Sequence, residues 1–123
     1  MSKYKVFSAT LEGKPRVELH DAMQLTGSEV SINNLPAGAS VPFLHSHVQN
    51  EELYYFAKGK GELSIDGEIV PVESGVWVRI DPECKRGLHA NKDLTYICIQ
   101  TKKDSLTQYT QNDAKIYDDK IPW

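Results

Sequence analysis

Two histidines and a glutamate lie close together near the middle of the chain, in the segment HSHVQNEELYYFAKG at residues 45–59. His45 and His47 are one residue apart, and alternate side chains of a β-strand share a face, with Cα atoms about 6.5–7 Å apart. Two imidazoles at that separation can converge on one metal ion. A carboxylate from the next strand, beyond the turn VQNE, could supply a third ligand. Such a ligand set suits Fe, Mn, Ni, Zn or Co.

The rest of the chain predicts β-strands almost throughout. Short segments rich in β-branched and aromatic residues alternate with Gly, Pro, Asn and Asp. The predicted strands are 4–7, 16–20, 29–35, 41–47, 52–58, 61–66, 68–72, 76–80 and 94–101. The pair Asp66-Gly67 predicts a two-residue hairpin turn, and only residues 105–117 could hold a short helix. Many short strands in a small chain predict a β-sandwich or a β-barrel.

Length and composition restrict the function further. A chain of 123 residues predicts one domain, spanning residues 1–123. The net charge of -3 argues against a nucleic acid as the main partner. No apolar run approaches the roughly 18 residues of a membrane span, and the start lacks the apolar region of a secretory signal, which predicts a cytoplasmic location. Cys84 and Cys98 have no zinc-type spacing and are predicted to be free thiols.

The segment HSHVQNEELYYFAKG resembles the first motif of the cupin superfamily, in which HxH is followed by three or four residues, Glu, six residues and Gly. Six residues separate Glu52 from Gly59, so the motif assigns the ligand to Glu52 and leaves Glu51 as a solvated or supporting carboxylate. The resemblance implies an all-β double-stranded β-helix, or jelly-roll barrel, over about residues 28–101. The N-terminal strands and the C-terminal tail are expected to pack on that barrel.

The same resemblance implies what the barrel contains. His45, His47 and Glu52 are expected to hold a divalent transition metal inside it, and small one-domain cupins are commonly homodimers. Phe43, Tyr54 and Phe56 share the inward parity of these ligands and are predicted to line a substrate pocket, although an ordinary barrel core explains them as well.

The second cupin motif departs from the family pattern. Gly75, Pro82 and Asn91 match it, but Gly87 occupies the position at which the family carries a further metal-binding histidine. His89 lies two residues beyond, so it is expected to face the same way as Gly87. Three interpretations of His89 stay open: a metal ligand brought back by a distorted strand, a residue that lines the pocket, or a packing residue.

These observations favour a metal-binding cupin that binds or acts on a small molecule inside the barrel. If it is an enzyme, the resemblance suggests a metal-dependent dioxygenase or isomerase, although one fold supports many reactions. The alternative is a non-enzymatic module that binds or senses a small ligand with an incomplete metal site. A structural cupin with a degenerate site is the third interpretation.

Overall fold

The fold is all-β, as the sequence predicts. The computed structural model of the protein describes residues 3–8, 10–108 and 110–123, and Met1, Ser2, Ala9 and Tyr109 of the predicted domain lie outside the described residues. The described strands are β1 (Arg16–Glu18), β2 (Glu29–Leu35), β3 (Asn50–Lys58), β4 (Lys60–Ile65), β5 (Glu68–Glu73), β6 (Trp77–Ile80), β7 (Arg86–Ala90) and β8 (Leu94–Lys102). Of the two one-turn helices, α1 (His20–Met23) lies between β1 and β2, and α2 (Thr110–Asp113) follows β8.

The strands form the two antiparallel sheets of a jelly roll. The larger sheet has the order β1-β2-β8-β3-β6, and the smaller has the order β5-β4-β7. Long strands β3 and β8 pair along their length with one irregularity between Phe56 and Lys58. In both strands alternate residues are buried, as a strand with one face on a core requires. The core therefore lies between the two sheets.

The segment before β3 extends the smaller sheet beside β7. Backbone hydrogen bonds join Val41 to Leu88, and join His45 to Arg86 in both directions. Three residues, 42–44, therefore lie opposite Gly87 alone, so the segment bulges outward between the two contacts. This bulge replaces the regular strand predicted at 41–47, and it leaves Phe43 and Leu44 exposed while His45 is held beside Arg86.

Two tight connections between strands depend on the conformational freedom of glycine. Asp66 and Gly67 both have positive φ, 49° and 87°, which is the backbone of the hairpin turn that joins β4 to β5. Gly59 has φ of 95°, and a Cβ at that position would collide with the backbone carbonyl of Asp93. The short connection between β3 and β4 therefore needs glycine at residue 59.

The ends of the chain differ from the sequence expectation. Residues 4–7 form no strand, and the helix expected within 105–117 is only the single turn of α2. Apolar side chains in both terminal segments are exposed rather than packed on the barrel, including Val6, Ile116 and Trp123. None of the helices in the described part of the chain has the length and apolar character that crossing a membrane requires.

Candidate metal centre

Glu52 lies at the centre of the site, on the inward face of β3. It is only 2% exposed, whereas Glu51, on the opposite face, is partly exposed. The alternation of β3 therefore places Glu52 between the sheets together with Tyr54 and Phe56. Buried carboxylates are stable only where charges or hydrogen bonds compensate for the loss of water, so the neighbours of Glu52 decide what it can do.

His45 and His47 approach Glu52 from the segment that leads into β3. The Nε2 atom of His47 lies 3.1 Å from Oε2 of Glu52, and the Nε2 atom of His45 lies 3.8 Å from Oε1. The two rings are nearly perpendicular, with centroids 5.3 Å apart. One potential ligand atom from each of the three residues lies within 4.8 Å of the others, a spacing that suits coordination of one ion.

The two histidines of the site each have a buried ring nitrogen that forms no hydrogen bond within the described residues. Nδ1 of His45 and Nε2 of His47 are buried and have no hydrogen-bond partner among the described residues. The 3.1 Å approach of His47 to Glu52 is close enough for a hydrogen bond, but it lacks the required direction. A buried polar atom without a partner is costly, and an ion shared by the three side chains would satisfy Nε2 of His47.

Arg86, on β7, is the unexpected member of the site. It is 1% exposed, and its Nη1 atom donates a hydrogen bond of 2.7 Å to Oε1 of Glu52. Its Nε atom donates to the carbonyl of Cys84, and its Nη2 atom donates to the carbonyls of Asp81 and Pro82. The guanidinium is thus fixed between Glu52 and the loop that precedes β7, and it neutralises the buried carboxylate.

Two further donors complete the surroundings of Glu52. The hydroxyl of Tyr54 donates to Oε1 at 3.0 Å, and the thiol of Cys98 donates to Oε2 at 3.3 Å. Burial raises the pKa of both groups, so they stay protonated and able to donate. Both cysteines are free thiols among the described residues, as predicted, but Cys98 contacts the candidate site as well as the core.

The ionisation states at the site follow from burial and from these contacts. Burial raises the pKa of the Glu52 carboxyl, but the hydrogen bonds from Arg86 and Cys98 and the charges of His47 and Arg86 outweigh it, so that pKa lies below its ordinary value. Burial lowers the pKa of His45, and the Glu52 carboxylate opposes this shift only in part. An ionised carboxylate and a neutral imidazole are the forms that bind metal.

The structure places Gly87 and His89 on the other face of β7. Arg86, Leu88 and Ala90 are the buried residues of this strand, and Leu44 covers Gly87 from outside the barrel. Nδ1 of His89 lies 2.7 Å from the Ser40 hydroxyl, and the structure does not bring this ring to Glu52. The expectation that positions 87 and 89 face the interior is therefore wrong, because the alternation of β7 is shifted by one residue from the motif alignment.

Of the three aromatic residues predicted to line a substrate pocket, only Tyr54 lines the cavity beside the site. A cavity of about 250 Å³ opens beside the site and is lined by Tyr54, together with His45, Glu52 and Arg86. Phe56 is fully buried in the core and does not line this cavity. Phe43 is 60% exposed on the bulge before β3, where its ring contacts His45 from outside. The extra residues of the bulge reverse the parity that the prediction assumed for Phe43.

Arg86 and Arg16 are the charged residues of the cavity that the sequence prediction missed. Arg16 lies at the mouth, where its Nη1 atom donates to Asn33. The sequence around Arg86 contained a pattern that predicts its position. Leu88 and Ala90 are apolar at alternate positions, so a strand that buries both must also turn Arg86 inward. For Arg16 no comparable pattern exists, because its position depends on the pairing of β1 with β2.

Comparison with known proteins agrees with this geometry. A family model described as a cupin domain matches residues 31–100, more than half of the chain. The chain belongs to the cupin domain family. The match includes most of β2, all of β3 to β7 and most of β8, with all three residues of the candidate metal centre.

Two solved structures and one curated protein are similar to this cupin. A crystal structure of a cupin protein from Bacteroides fragilis is 48% identical, with a TM-score of 0.88 over 95% of this chain and 99% of that one. A crystal structure of a predicted oxalate decarboxylase from Thermotoga maritima is 25% identical, with a TM-score of 0.63 over 71% and 78%. An uncharacterized protein from Methanocaldococcus jannaschii is 29% identical over 84 residues, which span 67% of this chain and 62% of that protein.

Proposed function

We propose that this cupin binds one divalent transition metal through His45, His47 and Glu52, and that it receives a small molecule in the adjoining cavity. The observation that carries the proposal is the buried Nε2 atom of His47, which has no hydrogen-bond partner among the described residues and lies 3.1 Å from the Glu52 carboxylate, with Nε2 of His45 3.8 Å from the same carboxylate. Imidazole and carboxylate together suit Fe, Mn, Ni, Zn or Co, and three protein ligands leave coordination positions open. When bound, such an ion supplies Lewis-acid polarisation of a ligand oxygen.

The residues around the ion would orient the ligand and exclude water. Tyr54 presents a protonated hydroxyl that donates to Oε1 of Glu52, and the buried Arg86 donates to the same oxygen. Metal-dependent dioxygenation or isomerisation are the enzymatic reactions we propose for such a cavity. The Thermotoga maritima protein is a predicted oxalate decarboxylase, and this similarity favours a small ligand here as well.

A second function is favoured by the ion pair itself. Because Arg86 already neutralises Glu52, the carboxylate is compensated without a metal, and the cavity can serve as a metal-free binding or sensing site. Elemental analysis of protein purified without an affinity tag distinguishes the two functions. We expect about one transition metal per chain. A metal-free protein that also fails to take up Co²⁺, Zn²⁺, Mn²⁺, Ni²⁺ and Fe²⁺ in dialysis would favour the second function.

The inward position of Arg86 gives a sharper prediction for the missing fourth ligand. Arg86→His should place an imidazole on the inner face of β7 and remove a positive charge, and we expect metal affinity to rise by about tenfold or more. Gly87→His is the matched control, because position 87 faces outward and a Cβ there would lie 2.6 Å from the Leu44 side chain. Calorimetric titration with Co²⁺ measures both. Tighter binding in the Gly87→His protein would contradict the assigned face of β7.

We also propose a homodimer. Trp77 is 59% exposed on the outer face of β6 and lies against Tyr55, with ring centroids 4.2 Å apart, and exposed aromatic pairs are typical of subunit contacts. Sedimentation equilibrium should give twice the chain mass for the parent, and Trp77→Glu should shift the protein toward the monomer. A monomeric parent at all concentrations would remove the proposal.

A further inference from the structure

Most of the charged side chains that line the cavity beside the metal centre are positive. The described lining residues that carry a fixed charge are two cations, Arg16 and Arg86, and one anion, Glu52. The pocket therefore has a net positive charge before any metal binds, and a divalent ion adds to it. A cavity of this sign favours an anionic ligand.

Each of the two arginines has donors to spare. Arg86 has five N–H groups, four of which bond to Glu52, Cys84, Asp81 and Pro82, and the fifth, on Nη1, has no acceptor among the described residues. Arg16 uses Nε for Glu18 and Nη1 for Asn33, and its Nη2 atom has no acceptor in the same part of the chain. These donors belong to one buried and one half-exposed guanidinium on the same cavity.

The uncharged residues that line the cavity indicate which kind of molecule would carry the anionic group. Leu35, Val41, Leu88 and Tyr96 contribute apolar or aromatic surface to the same cavity. An inorganic anion would leave that surface unused, whereas an organic acid covers it with its carbon atoms. The volume of about 250 Å³ is smaller than the roughly 300–1,000 Å³ of typical ligand pockets, which restricts the ligand to a few carbon atoms or one ring.

We infer that the cavity binds a small organic carboxylate, with the carboxylate group received by Arg16 and Arg86 and the carbon skeleton packed on Leu35, Val41 and Leu88. The inference rests on the proposed function for the site. It does not require the metal, because the two arginine side chains supply the positive charge without it. Arg86 thus has two roles: it fixes Glu52, and it presents a charged donor to the cavity.

The test compares acids with neutral molecules of the same shape. Butyrate and benzoate are titrated into metal-free and Zn²⁺-loaded protein by calorimetry, with butyramide and benzamide as isosteres and inorganic phosphate as a competitor. We expect the acids to bind in both forms of the protein and the amides to bind at least about tenfold more weakly, since a hydrogen bond to a charged group is lost. Arg16→Gln should weaken butyrate and benzoate by about tenfold.

Arg79→Gln is the matched control variant. Arg79 is an exposed arginine on the outer face of β6, and it is not among the residues that line the cavity beside the metal centre. This variant should leave acid binding unchanged. Equal binding of acids and amides, no acid binding in either form, or displacement of the acids by phosphate at lower concentration would overturn the inference. Metal content is measured on the same samples, so a protein that binds Zn²⁺ but no acid refutes this inference alone, and one that binds acids but no metal refutes the metal proposal alone.

Discussion

Arg86→Met is expected to lower the free energy of unfolding of the metal-free protein by about 3–5 kcal/mol, because it leaves a buried carboxylate without its charged partner. Both side chains are almost completely buried, and the Nη1–Oε1 distance is 2.7 Å. The substitution also removes the donors that hold the carbonyls of Asp81 and Pro82. Chemical denaturation followed by circular dichroism gives the change, provided that the m-value stays constant.

The double variant Arg86→Met/Glu52→Gln separates the charge effect from the loss of packing. Replacing both partners of a buried ion pair is often close to neutral, so the double variant should recover much of the stability that Arg86→Met loses. Arg79→Met removes an exposed arginine from β6 and should change the stability by less than about 0.5 kcal/mol. A loss below about 1 kcal/mol in Arg86→Met would show that the ion pair is not the central contact described here.

His47→Ala is expected to weaken metal binding by more than about 100-fold, beyond the 10–100-fold loss that follows removal of an outer hydrogen-bonding partner. The Nε2 atom of His47 lies closer to Glu52 than the Nε2 atom of His45 does. The His47 ring is partly exposed, so its truncation should leave the fold intact. Titration with Co²⁺ measures the affinity, and circular dichroism measures the fold.

Two controls accompany this variant. Glu51→Ala removes a carboxylate from the outer face of β3, and His20→Ala removes a histidine from α1 that pairs with Asp21. Both proteins should bind metal like the parent. Unchanged affinity in His47→Ala would remove this residue from the site, whereas a loss in His20→Ala would locate the ion at the other end of the chain.

Glu52 itself is a poor residue for a truncation test. Glu52→Ala would remove one of the proposed metal ligands, but it would also leave Arg86 as an unpaired buried charge. Loss of metal binding in that variant would therefore be mixed with loss of stability. His47→Ala avoids the ambiguity because Arg86 keeps its partner.

The first motif was predictable because it depends on local spacing. The spacing of one residue placed His45 and His47 close together although the structure has no regular strand there. The motif spacing assigned the ligand to Glu52, and the alternation of β3 places Glu52 on the buried face. The hairpin at Asp66-Gly67 was predictable for a similar reason, since its backbone needs positive φ at both residues.

The second motif was not predictable from spacing alone. The bulge at residues 42–44 and the one-residue shift in β7 arise from pairing between distant segments, and a shift of one residue turns every side chain of a strand to the other face. Motif counting therefore pointed to Gly87 and His89, while the apolar alternation of Leu88 and Ala90 already favoured Arg86 as the inward residue. Where family spacing and alternation disagree, alternation describes β7 correctly.

Anomalous X-ray diffraction from crystals of the parent protein soaked in Co²⁺ tests the metal centre most directly. We expect one strong peak per chain, within about 2.0–2.3 Å of a ring nitrogen of His45, a ring nitrogen of His47 and a carboxylate oxygen of Glu52. His89 should stay bonded to Ser40 on the outer face of β7, away from the peak. A peak bound by His89 instead, or no peak between His45, His47 and Glu52 at saturating Co²⁺, would contradict the proposed metal centre.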